Sequence, residues 1–103
     1  MKVLKEKFSK NSKQYVQIKR TELVVLYGLT GDYTNEYTSF EVLKIYIHKP
    51  FTFNGKEYDS YERIAGNEEF GCDGSLTFPT LPQAEKYFEI LQKKLISQQT
   101  DNQ

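Results

Sequence analysis

The chain has 103 residues, and its fourteen Lys and Arg residues balance fourteen Asp and Glu residues to give a formal net charge of zero. This length fits one domain, and the single cysteine excludes an internal disulfide bond. No apolar run is long enough for a signal peptide or a membrane span. Together with the lone cysteine, this predicts a cytoplasmic protein with one domain over residues 1–97 and a flexible polar tail over residues 98–103.

Charge is distributed unevenly along the sequence. The first 20 residues hold seven basic side chains against one acidic side chain, Glu6, whereas residues 21–75 carry an excess of acidic ones. A basic segment of this kind can contact nucleic-acid phosphates, or it can lie beside acidic strands of its own sheet. We favour the second arrangement. The nucleic-acid alternative would use the whole basic set, which is Lys2, Lys5, Lys7, Lys10, Lys13, Lys19 and Arg20.

The first part of the chain has the composition of β-strands. Residues 3–8 are short and Lys-rich, as protected edge strands are. Residues 15–18 and 23–29 are β-branched and apolar, and the polar residues 19–22 between them suit a hairpin turn. Because residues 23–29 are apolar on both faces, we expect a central strand that is buried from both sides. Turn-forming residues follow at 30–35.

Residues 37–48 form the longest predicted strand. Side chains alternate between the two faces of a strand, so Phe40, Val42 and Tyr46 share one face. Leu43 and the isoleucines that follow it at alternate positions share the other face.

A hairpin is predicted around Asn54-Gly55, because both central residues of a type I′ turn need a positive φ. Its strands are residues 51–53 and 56–58. Residues 61–75 have no regular apolar pattern, and we expect an irregular segment with one helical turn over residues 67–70.

The C-terminal helix is predicted over residues 81–96, after a short strand at residues 76–78. Thr80 is a good N-cap, and Gln83 completes a capping box with it. Apolar residues recur at the three-and-four spacing of one helix face, so the helix must lie against an apolar surface. This face consists of Ala84, Tyr87, Phe88, Leu91 and Leu95.

These elements predict an α+β fold: an antiparallel β-meander of five to six strands with one C-terminal helix packed on one face. A helix of about 16 residues is roughly 24 Å long and roughly 10 Å wide, so it covers little more than two strands. We therefore expect an uncovered aromatic sheet face that binds a partner. The alternative is that residues 49–75 fold back over this face. The expected uncovered face consists of Phe40, Val42 and Tyr46, with Tyr15 or Tyr27 beside them.

The sequence contains no set of residues that predicts catalysis. His48 is the only histidine and Cys72 the only cysteine, so neither has a partner at metal-ligand spacing. A nucleophilic Cys72 with His48 as its base is formally possible, but one cysteine and one histidine occur together in many small proteins. We therefore predict no catalytic residue, no metal site and no cofactor.

The carboxylates of residues 57–73 do not match the spacing of a calcium-binding loop. We expect a solvated acidic loop in which Glu68 and Glu69 contact a partner.

Residues 61–71 have the sequence Tyr-Glu-Arg-Ile-Ala-Gly-Asn-Glu-Glu-Phe-Gly, and residues 76–84 have the sequence Leu-Thr-Phe-Pro-Thr-Leu-Pro-Gln-Ala. With Phe-Glu-Val at 40–42, they resemble a pattern in small uncharacterised proteins of bacterial genomes, phages and mobile elements. Those proteins have an Asn-Glu-x-Phe-Gly turn and a Thr-Phe-x-Thr-Leu run before a final helix. The resemblance covers residues 23–96 and departs at residues 81–83, where an acidic pair is usual. It implies no known activity, but it implies a compact accessory protein that binds a host or defence component.

We expect a non-enzymatic protein that holds a protein partner, or a second copy of itself, through the aromatic face or the acidic loop. No small-molecule substrate is evident. The alternative is a nucleic-acid-associated protein that uses the basic N-terminal hairpin, and its binding would weaken steeply with added salt. The predicted protein contacts are Tyr15, Phe40, Val42, Tyr46, Glu68 and Glu69.

Overall fold

The computed structural model describes residues 1–31, 34–66 and 68–101. Three positions of the two predicted turns lie outside the described residues: Asp32, Tyr33 and Asn67. The elements are, in chain order, β1 (Lys7–Lys10), β2 (Lys13–Arg20), β3 (Val24–Thr30), β4 (Tyr37–His48), β5 (Phe51–Phe53), β6 (Lys56–Tyr58), β7 (Tyr61–Ile64), β8 (Leu76–Phe78) and α1 (Leu81–Asp101).

An antiparallel sheet carries the C-terminal helix on one face, which confirms the predicted fold class. The strand order is β1-β2-β3-β4-β7, and β8 also pairs with β4. β3 is buried at every position, as its apolar sequence predicts. β5 and β6 pair with each other as a separate hairpin, and both turn residues have positive φ, 53° at Asn54 and 76° at Gly55. The predicted bounds of β4, β5, β6 and β8 are confirmed.

The long strand β4 is the centre of the sheet because it has different partners along its two edges. One edge pairs with β3, whereas the other edge pairs with β8 over residues 40–42 and with β7 over residues 45–48. Between these two ladders, the Lys44 N–H donates to the hydroxyl of Ser75, which is fully buried. A side chain therefore satisfies the backbone donor that neither strand reaches.

The sheet curls until its two ends are joined by the N-terminal segment, residues 1–6. The Glu6 carbonyl accepts a hydrogen bond from Gln17 in β2, while Lys2 pairs in parallel with Tyr61 in β7. The face enclosed by this curl holds the first hydrophobic core. Its buried residues are Tyr15, Val25, Tyr27, Leu29, Leu43 and Ile45, with Leu4, Phe8, Ile64 and Phe70 packed against them.

The second core lies between α1 and the opposite face of β3 and β4, as the apolar helix face predicts. Its buried residues are Val24, Leu26, Phe40, Val42, Ala84, Phe88, Leu91 and Leu95.

Helix α1 begins at Leu81, as predicted, but continues to Asp101 instead of ending at residue 96. Residues 97–101 contain neither glycine nor proline, so nothing in them breaks the helix. The described part of the predicted tail, residues 98–101, is therefore helical. At the N-cap, the Thr80 hydroxyl donates to Oε1 of Gln83 at 3.0 Å. The two side chains thus bond to each other and not reciprocally to the backbone.

The prediction that Phe40 and Val42 lie on an uncovered face is wrong. Both are buried beneath α1, with exposed fractions of 8% and 0%. Tyr15 and Tyr27 do not lie on the face that carries Phe40 and Val42. Phe40 lies opposite Gly28 in the register, so the neighbouring Tyr27 points to the opposite face of the sheet. The reason is curvature. Because the sheet bends away from α1, the helix covers the convex side of its central strands and the N-terminal segment closes the concave side.

Residues 61–64, predicted to be irregular, form β7 and pair with the last part of β4. The charges in this strand hide its pattern in the sequence, and both are paired in the structure: Glu62 with Arg20, and Arg63 with Glu69. The alternative that residues 49–75 fold back over the face of Phe40, Val42 and Tyr46 holds only at Tyr46, which contacts Arg63 and Asp73, because α1 covers Phe40 and Val42. Phe70 packs on the enclosed core of the opposite face, and residues 51–58 remain exposed.

The loop between β7 and β8 approaches the helix most closely at Gly74. Gly74 has a φ of 96°, and a Cβ placed on it would lie 2.7 Å from Cδ1 of Leu91. The Tyr87 hydroxyl donates to the Gly74 carbonyl at 2.6 Å. A larger residue at this position would push the loop from the helix.

We expect Gly74→Ala to lower the free energy of unfolding by about 2–5 kcal/mol, because a positive φ costs about 1–2 kcal/mol and overpacking costs about 1–3 kcal/mol. Gly71→Ala is the matched control, since Gly71 also has a positive φ (85°) but open space around the added methyl group. It should lose only the backbone part, about 1–2 kcal/mol. Urea denaturation measures both variants, and equal losses would contradict the proposed contact with Leu91.

Candidate functional site

A buried carboxylate, Glu62 of β7, joins the two ends of the sheet. Its side chain is only 5% exposed. Arg20, the last residue of β2, donates from both terminal nitrogens to the two carboxylate oxygens, at 2.6 and 2.8 Å. The Leu4 N–H donates to the same carboxylate at 3.1 Å. Hydrogen bonds from Arg20 are the main reason that the pKa of Glu62 lies below its usual value.

A groove opens where the N-terminal segment leaves β7. Lys2 bonds to both neighbours of Tyr61, since its N–H donates to the Ser60 carbonyl and its carbonyl accepts from the Glu62 N–H. The next step of a parallel ladder would have the Leu4 N–H donate to the Glu62 carbonyl, but this N–H donates to the Glu62 side chain. The two segments therefore diverge.

We call the resulting space the seam groove. It has a volume of about 810 Å³ and lies between the N-terminal segment with β1 on one side and residues 58–66 on the other. Its main apolar lining residues are Leu4, Phe8, Phe51, Tyr58, Tyr61 and Ile64.

The β5–β6 hairpin stands at the edge of the seam groove and exposes aromatic rings. The exposed fractions are 62% for Phe53, 39% for Phe51 and 38% for Tyr58. Phe51 and Tyr58 stack with ring centroids 4.9 Å apart and planes 9° apart, and Tyr61 stacks in the same way on His48 at 4.8 Å. Contiguous exposed apolar side chains of this kind usually mark an interaction surface. We call this surface the aromatic hairpin.

Sequence reasoning missed the aromatic hairpin as a site, although it predicted the turn. The available signal was the alternation of Phe51 and Phe53, which lie on one face of a three-residue strand. A short hairpin has no core of its own, so rings on it must be covered by another part of the chain or remain exposed. Only the structure shows which of these occurs.

Most of the predicted basic set forms no ion pair with a carboxylate of the described residues. Arg20 pairs with Glu62, and Lys19 lies 3.7 Å from Glu89 and 4.6 Å from the centroid of the Phe88 ring. These two residues therefore stabilise the fold. The favoured interpretation, in which the basic segment lies beside acidic strands, has further support at Lys10 and Lys13, which act on Glu41 of β4. Within the described ranges, however, no carboxylate lies within ion-pair distance of the other five residues of the set. They are Lys2, Lys5, Lys7, Lys10 and Lys13.

Of the predicted protein contacts, Tyr15 is buried in the enclosed core. Its hydroxyl donates to Glu41 at 3.1 Å. Burial is the main cause that raises the pKa of Glu41, against the opposing effects of this hydrogen bond and of Lys10 and Lys13. Tyr15 is thus a core residue with a satisfied polar end.

Tyr46 and Glu69 belong to a network that holds the loop after β7. Arg63 lies opposite Tyr46 in the register, with its guanidinium carbon 4.3 Å from the ring centroid. The same guanidinium group donates to both oxygens of Glu69, at 2.6 and 3.1 Å, and the Tyr46 hydroxyl donates to Asp73. Hydrogen bonds from Arg63 and from the Gly66 N–H lower the pKa of Glu69 to about 2. Both predicted contacts are therefore engaged inside the chain.

Glu68 is exposed in the same turn. It remains a predicted partner contact.

His48 and Cys72 have contacts with different elements. The His48 ring stacks on Tyr61, while Cys72 is exposed in a turn where its N–H donates to the Glu69 carbonyl. In the described part of the chain, no three His, Cys, Asp or Glu side chains are grouped as metal ligands would be. Within the described residues, helix α1 is not apolar enough over a sufficient length to cross a membrane.

Compared with known proteins, the chain matches no family model, no curated protein and no solved structure.

We expect Glu62→Gln to lower the free energy of unfolding by about 2–4 kcal/mol at pH 7, because it leaves Arg20 without its buried counter-charge. Glu69→Gln removes a more exposed ion pair and should lower the free energy of unfolding by a smaller amount. Denaturation at several pH values checks that the ionised Glu62 carboxylate provides this stability. The folded-state pKa of Glu62 is lowered, so its contribution is complete above the unfolded value of about 4.3 and is lost as the pH falls through the folded value.

The difference in the free energy of unfolding between wild type and Glu62→Gln should accordingly become smaller as the pH falls from about 5 to about 3. A difference that stays constant over this range would show that the carboxylate charge does not hold the sheet closed.

Proposed function

We propose that this protein is a small non-enzymatic binding protein that holds a protein partner on the aromatic hairpin and the adjoining seam groove. The single observation that carries the proposal is the group of exposed rings at Phe51, Phe53 and Tyr58 beside a groove lined with apolar side chains.

The rings are suited to contact because they are already held in place. Phe51 is stacked on Tyr58 in the ladder of the hairpin, so little side-chain entropy remains to be lost on binding. Phe53 lies at the turn with more than half of its surface in water. Aromatic side chains that become buried at the centre of an interface commonly provide most of its binding energy. The aromatic hairpin therefore supplies anchors, and the groove supplies a concave surface next to them.

The resemblance to small proteins of bacteria, phages and mobile elements supports an accessory role. On this basis we also propose that the partner is a protein of the host or of a defence system.

The test compares Phe53→Ser with Ile90→Ser, and the second change removes a similarly exposed apolar side chain from the outer face of α1. Wild type and both variants are immobilised, and lysate proteins retained by each are quantified. We expect a partner that binds wild type and Ile90→Ser equally but binds Phe53→Ser about tenfold less, the effect of losing one interface anchor. Equal retention on all three surfaces would refute the proposal. Light scattering shows whether a second copy is the partner, because Phe53→Ser would then convert a dimer to a monomer.

A second candidate function is nucleic-acid binding, and it is favoured by the five lysines that have no carboxylate of the described residues within ion-pair distance. They would contact phosphates while bases stack on the exposed rings, as in proteins that bind single strands.

If this is correct, a labelled single-stranded oligonucleotide should lose about 100-fold in affinity between about 50 and 200 mM salt, since five phosphate contacts release their counterions. Fluorescence anisotropy measures the affinity. Changing Lys5, Lys7 and Lys13 to Gln should flatten the salt dependence, whereas Lys93→Gln/Lys94→Gln on α1 should not. Absence of binding at low salt would exclude this function.

A further inference from the structure

One edge of β7 faces the seam groove, and no strand of the described residues lies beside it. β7 pairs with β4 along its other edge. On the groove side, the described residues provide a single bridge, between Lys2 and Tyr61. Beyond it the Leu4 N–H is diverted to the Glu62 side chain, so the Glu62 carbonyl and the Ile64 N–H point into the groove, as the alternation of backbone groups along a strand requires. This is the pattern of donors and acceptors that an added strand would use.

The charges around this edge have one sign once the internal ion pairs are taken into account. The two carboxylates of the groove are occupied: Glu62 by Arg20, and Asp59 by the Met1 ammonium group at 3.0 Å. Three lysines line the groove: Lys2, Lys5 and Lys10. Lys10 acts on Glu41, but Lys2 and Lys5 have no carboxylate of the described residues within ion-pair distance. A ligand in the groove would meet an apolar floor and a positive rim.

We propose that the seam groove binds an extended acidic segment of the partner protein, which adds to β7 as a further strand. This rests on the proposed function and names the form of its partner. Main-chain hydrogen bonds to the β7 edge would hold the segment, and its alternate side chains would point towards Leu4 and Phe8. Acidic side chains on its other face would lie near Lys2 and Lys5.

Two other occupants agree less well with the same observations. A nucleic-acid strand would use the lysines and the rings, but it carries no backbone that matches a strand edge. A second copy of this chain, paired through the same edge, would bring its own Lys2 and Lys5 against those of the first copy, because a two-fold contact places like surfaces together. The resulting repulsion disfavours it.

The test begins with selection of random dodecapeptides displayed on phage against the full-length protein. We expect the selected sequences to alternate apolar and acidic residues. A selected peptide is then synthesised with a fluorescein label, and its affinity is measured by anisotropy. Methylating the alternate backbone nitrogens of the peptide that face the β7 edge should weaken its binding more than about tenfold, because main-chain hydrogen bonds are lost. Methylating the intervening nitrogens should have little effect. Because this change is in the peptide, it does not affect folding of the protein.

Charge is tested with Lys2→Glu/Lys5→Glu, which should weaken peptide binding more than about tenfold. Lys93→Glu/Lys94→Glu makes the same change in net charge on the exposed side of α1 and should leave binding unchanged.

Strand addition is overturned if both patterns of methylation act equally, if Lys2→Glu/Lys5→Glu binds as wild type does, or if no peptide is enriched. Peptides that bind through the aromatic hairpin alone would be lost with Phe53→Ser and retained with edge methylation. That result would uphold the proposed function and reject the added strand. If neither Phe53→Ser nor edge methylation weakened peptide binding, both the proposed function and the added strand would be rejected. Binding of an oligonucleotide in place of any peptide would favour the second candidate function.

Discussion

The hydrogen-bonded ion pair between Glu62 and Arg20 is the interaction on which the rest of the structure depends. A carboxylate with so little exposure is stable only when its oxygens are satisfied, and here it takes two donors from the end of β2 and one from Leu4. Three distant segments are thereby tied at one point. The sheet closes on its Tyr15 and Tyr27 side, which leaves the opposite side of β3 and β4 for the helix.

The same carboxylate also produces the candidate site. By accepting the Leu4 N–H, Glu62 removes that donor from the parallel ladder that Lys2 begins. The ladder stops after one bridge, the N-terminal segment turns towards β2, and the edge of β7 is left facing a groove. Closure of the core and opening of the groove thus both result from hydrogen bonds to one carboxylate. The aromatic hairpin adds to this site because it pairs with itself and extends from the end of β4 beside the groove.

Features set by short-range chemistry were predictable. Asn54-Gly55 defines a turn because both residues adopt positive φ at low cost, and the apolar spacing from Ala84 to Leu95 defines the buried helix face. Features that depend on distant partners were not. β7 was missed because Glu62 and Arg63 give it a polar pattern, and their partners, 42 and 6 residues away, are unknown until the chain has folded. For the same reason, the sequence could not show which basic residues of the N-terminal segment form ion pairs within the chain.

Apart from β7, sequence alone determined the kinds of element, their approximate bounds and which residues of a strand share a face, because these depend on turn chemistry and on the periods of helix and strand. Tertiary structure decided which face is enclosed. Alternation correctly grouped Phe40 with Val42, but only the direction of curvature placed them under α1. That direction is set by hydrogen bonds between residues far apart in sequence, and no local pattern specifies it.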